Sequence, residues 1–424
     1  MNNKRTKGEN VYQLVQKRLK FLFNEFDNIY VSFSGGKDSG VLLNLCIQYI
    51  REHNLDRKIG VYHMDYEAQY QMTTEYVEQT FRENQDILEI YHVCVPFKVV
   101  TCASMFQTYW RPWDESMHAH WVRPMPKNCY KKEDFPFYNE EMWDYTFQTS
   151  FASWYHKKHD AVRTCCLDRW RTIHGNNRLN SYHNLMWTRR LGYDLYNAYP
   201  IYDWTTEDIW TAYARFKWPF NQMYELYYKA GVPLDRQRVA SPFLSTAQET
   251  LKLYKAIDPN TWGRMLGRVN GVNFTGIYGG TRAMGWQNIK LPEGYTWKEY
   301  MYFLLDTLPE ETKQSYLEKL RVSREFWKYK GGCLDLSTIR KLTDLGIKFY
   351  VQKKTNYKTD KLPVQMDYLD DIDIAEFKEI PTYKRMCICI LKNDHVCKYM
   401  GFALTKKEKL RRDRVMQKYK NIIK

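Results

Sequence analysis

Six consecutive residues near the amino terminus carry groups that bind phosphate. They follow an apolar run at 29–33 and precede a helical pattern that starts at Val41: Ser34, Gly35, Gly36, Lys37, Asp38 and Ser39. Glycines let the backbone approach a ligand closely, and the N–H groups at the start of a helix attract anions. Lys37 adds positive charge, and Asp38 could hold magnesium directly or through water. The pattern predicts strand, phosphate-binding turn and helix, although a glycine turn capped by Ser39 would show the same spacing.

This loop differs from two common glycine-rich motifs. It lacks the Gly-x-x-x-x-Gly-Lys-[Ser/Thr] spacing of the Walker A loop and the Gly-x-Gly-x-x-Gly spacing of dinucleotide-binding folds. The order Ser-Gly-Gly-x-Asp-Ser after a strand resembles the PP-loop of ATP pyrophosphatases. Those enzymes split ATP between the α and β phosphates and adenylylate a substrate, or bind an adenylylated one. The resemblance implies ATP, or a related adenine nucleotide, together with Mg²⁺.

The elements around the loop alternate between strand and helix. Apolar spacing predicts helices at residues 9–26 and 72–83, and strands at 29–33, 59–64 and 87–95. Such alternation indicates βαβ units, a parallel sheet and helices on both of its faces. Ligands of such sheets lie at the carboxyl ends of the strands, where the loop and Asp65 both fall. The α/β fold therefore predicts that Asp65 lies beside the nucleotide, with a loop cap as the alternative.

The pattern changes twice along the chain. A stretch at about 100–155 is rich in Trp, Pro, Met and Tyr without a clear period, and we expect an irregular insertion in a nucleotide-binding domain of residues 1–245. Residues 246–424 are predicted to form a mainly helical C-terminal domain that contains a short sheet. Its clearest elements are helices at 296–306 and 310–327 and a strand at 385–391.

The composition is that of a globular chain that does not cross a membrane. Of the 424 residues, 44% are hydrophobic and 27% are charged, which is ordinary for a soluble protein. No apolar run reaches the roughly 18 residues that a membrane span requires. The amino terminus predicts an amphipathic helix and not a signal sequence. We expect a cytoplasmic protein whose 10 cysteines are mostly reduced.

The net charge of +15 is concentrated near the carboxyl terminus. Residues 405–424 hold nine Lys or Arg and two acids, and so contribute +7. A basic tail of this kind favours an anionic partner, and nucleic acid is one candidate. A solvated surface helix explains the same charge equally well.

Three further segments extend the resemblance to one family. They are residues 63–77, which begin His-Met-Asp; residues 199–210, which contain Asp-Trp-Thr-x-x-Asp-Ile-Trp; and residues 219–233, which begin Pro-Phe-Asn. With the PP-loop, these segments resemble the phosphoadenosine phosphosulfate reductase family. Residues 291–300 and 385–394 are similar to the C-terminal extension of a subgroup that includes the immunoglobulin-binding regulator A proteins.

The resemblance assigns roles to individual residues. Ser34–Ser39 would bind the nucleotide phosphates, Asp65 would lie by the adenosine, and Asp203 and Trp204 would help to close the pocket. Core packing is the more ordinary explanation for Trp204.

The segment that starts at Val162 looks like a shortened form of the family's Gly-Ile-Arg-x-x-Glu-Ser region. Its Arg163 matches the family arginine that contacts phosphate, and Arg169 is a second candidate for such a contact. Both could equally be surface arginines. The catalytic set predicted in this way is Lys37, Asp38 and Arg163.

The cysteines depart from the family pattern. Sulfonucleotide reductases carry a catalytic cysteine in a C-terminal tail, and this chain has none after Cys397. The pair Cys165 and Cys166 resembles part of the iron–sulfur site of some members, but the Cys-x-x-Cys that completes such sites is missing, so we expect no cluster. Cys387, Cys389 and Cys397 are interpreted as structural residues rather than zinc ligands.

Three functions follow from these features. The first is adenylyl transfer from ATP to an unknown acceptor, with release of pyrophosphate. The second is sulfonucleotide reduction, which the family suggests and the missing tail cysteine disfavours. The third is a non-catalytic regulator that senses adenine nucleotide and binds DNA or a partner protein.

Overall fold

A computed structural model gives the architecture. It describes residues 9–104, 106–169, 188–190, 194–234, 237–239, 241–244, 247–278, 289–352 and 361–400. Within these ranges, no helix is both long and apolar enough to cross a membrane. The basic residues 405–424 lie outside the described part of the chain.

The chain forms two compact packing units. The first comprises residues 1–99, 111–242 and 253–268, and the second comprises residues 100–110, 243–252 and 269–424. A single boundary near residue 245 does not describe these units, because each of them recruits a short segment from the other side of that boundary.

The secondary structure is numbered here in chain order. The strands are β1 Asn28–Ser32, β2 Ile59–Met64, β3 Leu88–Val93, β4 Val99–Val100, β5 Tyr109–Trp110, β6 Thr164–Leu167, β7 Thr188–Arg190, β8 Leu195–Ala198, β9 Gly332–Leu334, β10 Phe349–Val351 and β11 Leu362–Met366. The helices are α1 Val11–Glu25, α2 Lys37–Glu52, α3 Gln71–Glu83, α4 Asp144–Lys158, α5 Thr206–Phe216, α6 Met223–Lys229, α7 Gln248–Leu251, α8 Leu253–Ile257, α9 Pro259–Arg268, α10 Val272–Tyr278, α11 Trp297–Asp306, α12 Glu310–Tyr329, α13 Leu336–Asp344 and α14 Tyr383–Leu391.

The first unit is built on a sheet of order β3-β2-β1-β6-β8-β7. Strands β3, β2, β1, β6 and β8 run parallel, and β7 is antiparallel to β8. The predicted parallel α/β sheet is therefore confirmed. Strand β1 lies inside the sheet, between β2 and β6, so the loop that follows it is flanked by the ends of two neighbouring strands.

Helices cover both faces of this sheet because the side chains of β1 alternate. Ile29 and Val31 join a hydrophobic core with residues of α1, α2, α3 and α5. Tyr30 points to the other face, where its ring lies 5.6 Å from Phe151 and 5.0 Å from Tyr155 of α4. Burial of apolar surface on both sides makes β1 a rigid support for the loop.

Helix α4 corrects part of the predicted irregular insertion. Residues 101–143 contain two 3₁₀ turns and one short strand among loops, but Asp144–Lys158 is a regular helix. Its buried residues follow helical spacing: Phe147, Phe151, Ala152 and Tyr155. Because many of the surrounding residues are also aromatic, this period is hard to distinguish in the sequence.

The described residues of the second unit form two small cores. Helices α11 and α14 share one core, which includes Trp297, Met301, Met386 and Cys387. The other core lies at a three-stranded antiparallel sheet of order β10-β11-β9. The predicted helices near 296–306 and 310–327 are present as α11 and α12, and Thr296 and Glu299 form a capping box at the start of α11.

The strand predicted at 385–391 is wrong, because this segment lies in helix α14. Thr382 caps the helix by accepting a hydrogen bond from the Arg385 N–H, and every residue from Arg385 to Ile390 is buried. A short, continuous apolar run does not distinguish a buried strand from a helix that is buried all round.

Candidate functional site

The PP-loop connects the central strand to the first turn of α2. Gly36 is the N-cap of α2, and Gly35 has a φ of +72°, where a Cβ would lie 2.9 Å from Val77 Cγ2. The position therefore requires glycine. Ser39 Oγ accepts a hydrogen bond from the Ser34 N–H at 3.2 Å and donates one to the Gly36 carbonyl at 3.1 Å. These bonds hold the loop around the start of the helix.

Lys37 and Asp38 form a buried charged pair in this loop. The Lys37 side chain is 6% exposed and its Nζ lies 3.4 Å from Asp38 Oδ2. The same Nζ donates to the Gln237 carbonyl at 3.1 Å. A buried ammonium exerts a stronger field on a nearby phosphate than an exposed one does, because less water screens it.

Three further side chains contact the loop. The sequence did not assign any of them to the site. Tyr224 accepts a hydrogen bond from the Lys37 N–H at 2.9 Å, and Tyr213 donates to the Lys37 carbonyl at 2.9 Å. Asn221 Nδ2 donates to the Gly35 carbonyl at 3.0 Å. Asn221 and Tyr224 lie in the segment 219–233, which resembles the family. That resemblance is the feature of the sequence that could have indicated two of these three contacts.

The two candidate arginines lie at opposite ends of strand β6. Arg169 follows β6 and its Nη1 donates to Ser34 Oγ at 2.8 Å, which brings it to the PP-loop. Arg163 precedes β6, where its guanidinium pairs with Glu25 and its N–H donates to the Asp27 carboxylate at 2.6 Å. Because β1 and β6 are parallel, Arg163 lies at the amino ends of these strands, whereas the loop lies at their carboxyl ends. The predicted phosphate contact and catalytic role of Arg163 are therefore wrong.

Asp65 lies at the carboxyl end of β2, as predicted, and is fully buried. Its carboxylate accepts hydrogen bonds from His92 Nε2 at 2.8 Å, from the Glu67 N–H at 2.9 Å and from Arg123. Burial by itself would raise the pKa of Asp65, but Arg123 and His92 outweigh burial and hold this pKa well below its usual range. These bonds orient the carboxylate within the protein; its contact with adenosine stays a prediction.

His63 extends this buried network. Its Nδ1 donates to the Phe33 carbonyl at 2.8 Å, and burial, assisted by His92, lowers the pKa of His63 to about 4. Ligand atoms of His63, Asp65 and His92 lie within 4.8 Å of one another. Because Arg123 already supplies a cation to Asp65, we assign the cluster as a hydrogen-bonded network and not as a metal centre.

The buried His63 makes stability depend on pH. Unfolded histidine titrates near pH 6.5, so the unfolded chain binds a proton that the native chain excludes down to about pH 4. The contribution of His63 to stability should therefore fall by about 2 kcal/mol between about pH 7.5 and about pH 5. Burial raises the pKa of Asp144 to about 6, so Asp144 contributes in the opposite sense, and urea unfolding of the unmodified protein and of His63→Gln at the two pH values isolates the His63 part.

The matched control for this pH effect uses an exposed histidine. His63→Gln should remove the His63 contribution to the pH dependence, whereas substitution of the exposed His120 by Gln should leave it intact. Equal slopes for the two variants would show that His63 is not the group responsible.

Asp203 and Trp204 follow β8 and pack into the first unit. The Asp203 carboxylate forms two hydrogen bonds with Arg18 of α1, both at 2.7 Å. Trp204 is 2% exposed and belongs to the hydrophobic core of the sheet. Core packing thus accounts for Trp204, and a role of either residue in closing a nucleotide pocket stays a prediction.

Cys165 and Cys166 lie within β6 and are buried. Burial raises the pKa of both thiols. Buried thiols of this kind are poorly nucleophilic near neutral pH, because the thiolate is the reactive form.

The fold and the loop define a class of protein. The chain has a parallel α/β sheet whose central strand leads into Ser-Gly-Gly-Lys-Asp-Ser, and a lysine, an arginine and helix N–H groups lie together at that loop. These features define a PP-loop nucleotide-binding domain.

Comparison with known proteins identifies the family. Residues 28–105 match the family described as phosphoadenosine phosphosulfate reductase domain, and residues 231–411 match the domain of unknown function DUF3440. The uncharacterized protein YbdN of Escherichia coli K12 is 31% identical over 415 residues, which cover 95% of this chain and 93% of that protein. The chain therefore belongs to the phosphoadenosine phosphosulfate reductase family, in the group with this C-terminal domain.

Similar solved structures are remote. A phosphoadenylyl-sulfate reductase from Candida auris aligns with 54% of this chain and 87% of its own, at 12% identity and a TM-score of 0.29. Candida glabrata FMN adenylyltransferase with ATP covers 50% and 57%, at 14% identity and 0.31. The U34-tRNA thiolase NcsA from Methanococcus maripaludis covers 64% and 84%, at 11% identity and 0.31. At these scores the similarities say nothing about the chemistry of this chain.

Proposed function

We propose that this protein is an enzyme that binds ATP at the PP-loop and transfers its adenylyl group to an acceptor, releasing pyrophosphate. The observation that carries the proposal is the group Ser34, Lys37, Asp38 and Ser39, held at the carboxyl end of β1 with Arg169 bonded to the loop. Two cations and a helix N-terminus at one point favour the polyphosphate of a nucleotide.

Each group of the loop has a role in this reaction. The N–H groups at Gly35 and Gly36 and the hydroxyls of Ser34 and Ser39 bind the phosphates. An acceptor nucleophile attacks the α-phosphorus, the bond to the bridging oxygen breaks, and pyrophosphate leaves with the electron pair. Lys37 stabilises the charge that develops on pyrophosphate, and must exchange the Gln237 carbonyl for phosphate oxygen to do so.

Asp38 is suited to hold Mg²⁺ with the nucleotide. Its carboxylate lies in the first turn of α2, is largely buried and adjoins the phosphate-binding N–H groups. Mg²⁺ in nucleotide sites commonly takes one or two carboxylates and completes its shell with phosphate oxygens and water, so this residue fits. When bound, the ion would neutralise phosphate charge.

Sulfonucleotide reduction is the second candidate, because residues 28–105 match the reductase domain. That reaction requires a thiol that attacks sulfur. Cys165 and Cys166, in the strand beside β1, are buried and have raised pKa values, which weighs against them as nucleophiles.

Parallel assays separate the candidate functions. Purified protein is incubated with Mg²⁺ and a thiol reductant, and with either ATP or phosphoadenosine phosphosulfate. Pyrophosphate from ATP is the expected product. Sulfite from the sulfonucleotide would replace the proposal with the reductase, and nucleotide binding without either product would replace it with a nucleotide-sensing regulator.

The two arginines provide a matched pair of variants. Arg169→Ala should raise the KM for ATP by about ten-fold or more, because a charge-assisted bond to phosphate contributes at least about 1.5 kcal/mol. Arg163→Ala should change KM by less than about two-fold, since its side chain lies at the opposite edge of the sheet. Pyrophosphate release at increasing ATP concentration measures both values. The reverse order would contradict the proposed site.

A further inference from the structure

A cavity lies at the outer edge of the parallel sheet in the first unit. It has a volume of about 660 Å³ and is lined by α3, β3 and the loop at 126–134. None of the residues Ser34–Ser39 lines it. Its volume is in the range of small-molecule sites. The polar residues on its wall include Glu78, Arg82, His92, Lys127, Cys129 and Asp134.

Two cysteines come together beside this cavity. The chain at Tyr130 pairs with the free edge of β3: Val93 bridges Tyr130 in parallel, and the Cys94 N–H donates to the Tyr130 carbonyl at 2.9 Å. Cys94 follows Val93, and Cys129 precedes Tyr130. Because side chains alternate along extended chains, both cysteines lie on the face opposite the side chains of Val93 and Tyr130. Their thiols are joined by a hydrogen bond. In this register Cys94 and Cys129 lie diagonally across the pair, so a disulfide between them requires the two side chains to turn toward each other.

The two thiols differ in access. Cys94 is 1% exposed, whereas Cys129 is partly exposed and lines the cavity. The Cys129 thiol also donates to the Pro126 carbonyl at 3.1 Å. A ligand in the cavity can therefore reach Cys129 directly, and can reach Cys94 only through Cys129.

The electrostatic environment favours the same order of reaction. The hydrogen bond from Cys94 lowers the pKa of Cys129 to about 7 against the opposing effect of burial, and His92 and Lys131 add to the lowering. Burial raises the pKa of Cys94 well above its usual range. A partly exposed, acidic thiol beside a buried thiol is the arrangement of an attacking and a resolving cysteine.

We propose that Cys94 and Cys129 are a redox-active dithiol that is oxidised by low-molecular-weight disulfides bound in this cavity. The Cys129 thiolate attacks one sulfur of the disulfide, forming a mixed disulfide and releasing one thiolate. Cys94 then loses its proton and attacks the Cys129 sulfur, forming the Cys94–Cys129 bond and releasing the second thiolate. The protein loses two electrons and two protons, and the disulfide becomes two thiols.

The cavity wall indicates the kind of disulfide that fits. Arg82 and Lys127 present positive charge, and Glu78 and Asp134 present negative charge. A zwitterionic peptide disulfide, which carries carboxylates and ammonium groups, complements both signs. Oxidised glutathione is therefore a suitable probe. This site stands independently of the proposed adenylyl transfer, because it shares no residue with the PP-loop.

The test uses the reduced full-length chain. The protein is mixed with oxidised glutathione, samples are quenched with acid and alkylated under denaturing conditions, and peptides are analysed by mass spectrometry. The Cys94–Cys129 disulfide should form at least about ten-fold faster than an adduct at Cys333, a partly exposed cysteine of the second unit. A missing Cys94–Cys129 linkage, or equal rates at the two places, would overturn the proposal.

Variants assign the order of the two steps. Cys129→Ser should abolish both the disulfide and any adduct on Cys94, whereas Cys94→Ser should stop at a glutathione adduct on Cys129. Cys333→Ser should leave the linkage unchanged. An adduct on Cys94 in the Cys129→Ser variant would contradict the assigned roles. If Cys94→Ser does not fold, Cys94→Ala provides the same test, and the rates in the unmodified chain still decide the proposal.

Discussion

The Lys37→Ala variant should release pyrophosphate from ATP at least about 100-fold more slowly than the unmodified protein, because it lacks the cation proposed to stabilise the leaving group. Lys37 is buried in the loop and lies 3.4 Å from Asp38, so solvent cations cannot readily take its place. The effect should appear mainly in kcat, since the charge that Lys37 stabilises grows as the bond breaks.

A second lysine provides the control for this experiment. Lys157 is exposed on α4, and Lys157→Ala should keep activity within about two-fold of the unmodified protein. Thermal unfolding of both variants shows whether the fold is retained. Full activity of a folded Lys37→Ala protein would remove the PP-loop from the mechanism.

The largest loss of stability is expected from Glu67→Ala. The Glu67 side chain is fully buried and pairs with Arg268 Nε at 2.8 Å and Nη2 at 3.0 Å. It also accepts the N–H groups of Trp113 at 2.7 Å and Val122 at 2.9 Å. Removing this carboxylate leaves the buried guanidinium without its counter-charge and should cost about 3–5 kcal/mol. Urea unfolding measures the difference.

An exposed ion pair provides the comparison for Glu67. Arg321 on α12 pairs with Glu318 and Glu325 at the surface, and Arg321→Ala should leave the unfolding midpoint nearly unchanged, because water screens such pairs. If Glu67→Ala unfolded at the same urea concentration as Arg321→Ala, the buried pair would not stabilise the first unit.

The local sequence predicted the elements that carry the PP-loop. The order of apolar run, Ser34–Ser39 and helical pattern corresponds to β1, the loop and α2, and β2 spans the residues predicted for it. These features were accessible because each depends on neighbours in the chain: side-chain period, glycine conformation and helix capping.

Features that depend on distant residues could not be predicted from the local sequence. The sequence motif favoured Arg163 for phosphate contact. The parallel pairing of β6 with β1 places Arg163 at the amino end of β6, away from the loop, and Arg169 at its carboxyl end, beside the loop. The direction of β6 beside β1 decides which arginine reaches the loop, and this pairing joins segments that are far apart in the chain.

The contrast between Asp65 and helix α14 shows where the division lies. The sequence by itself determined that the chain contains a parallel α/β sheet, a PP-loop at a strand end and Asp65 at a neighbouring strand end. Only the tertiary structure decided that Arg123 pairs with Asp65 and His92 donates to it, that Cys94 meets Cys129, and that residues 383–391 are helical. Periodicity and turn chemistry are local, whereas charge pairing and burial on all sides arise when distant segments pack together.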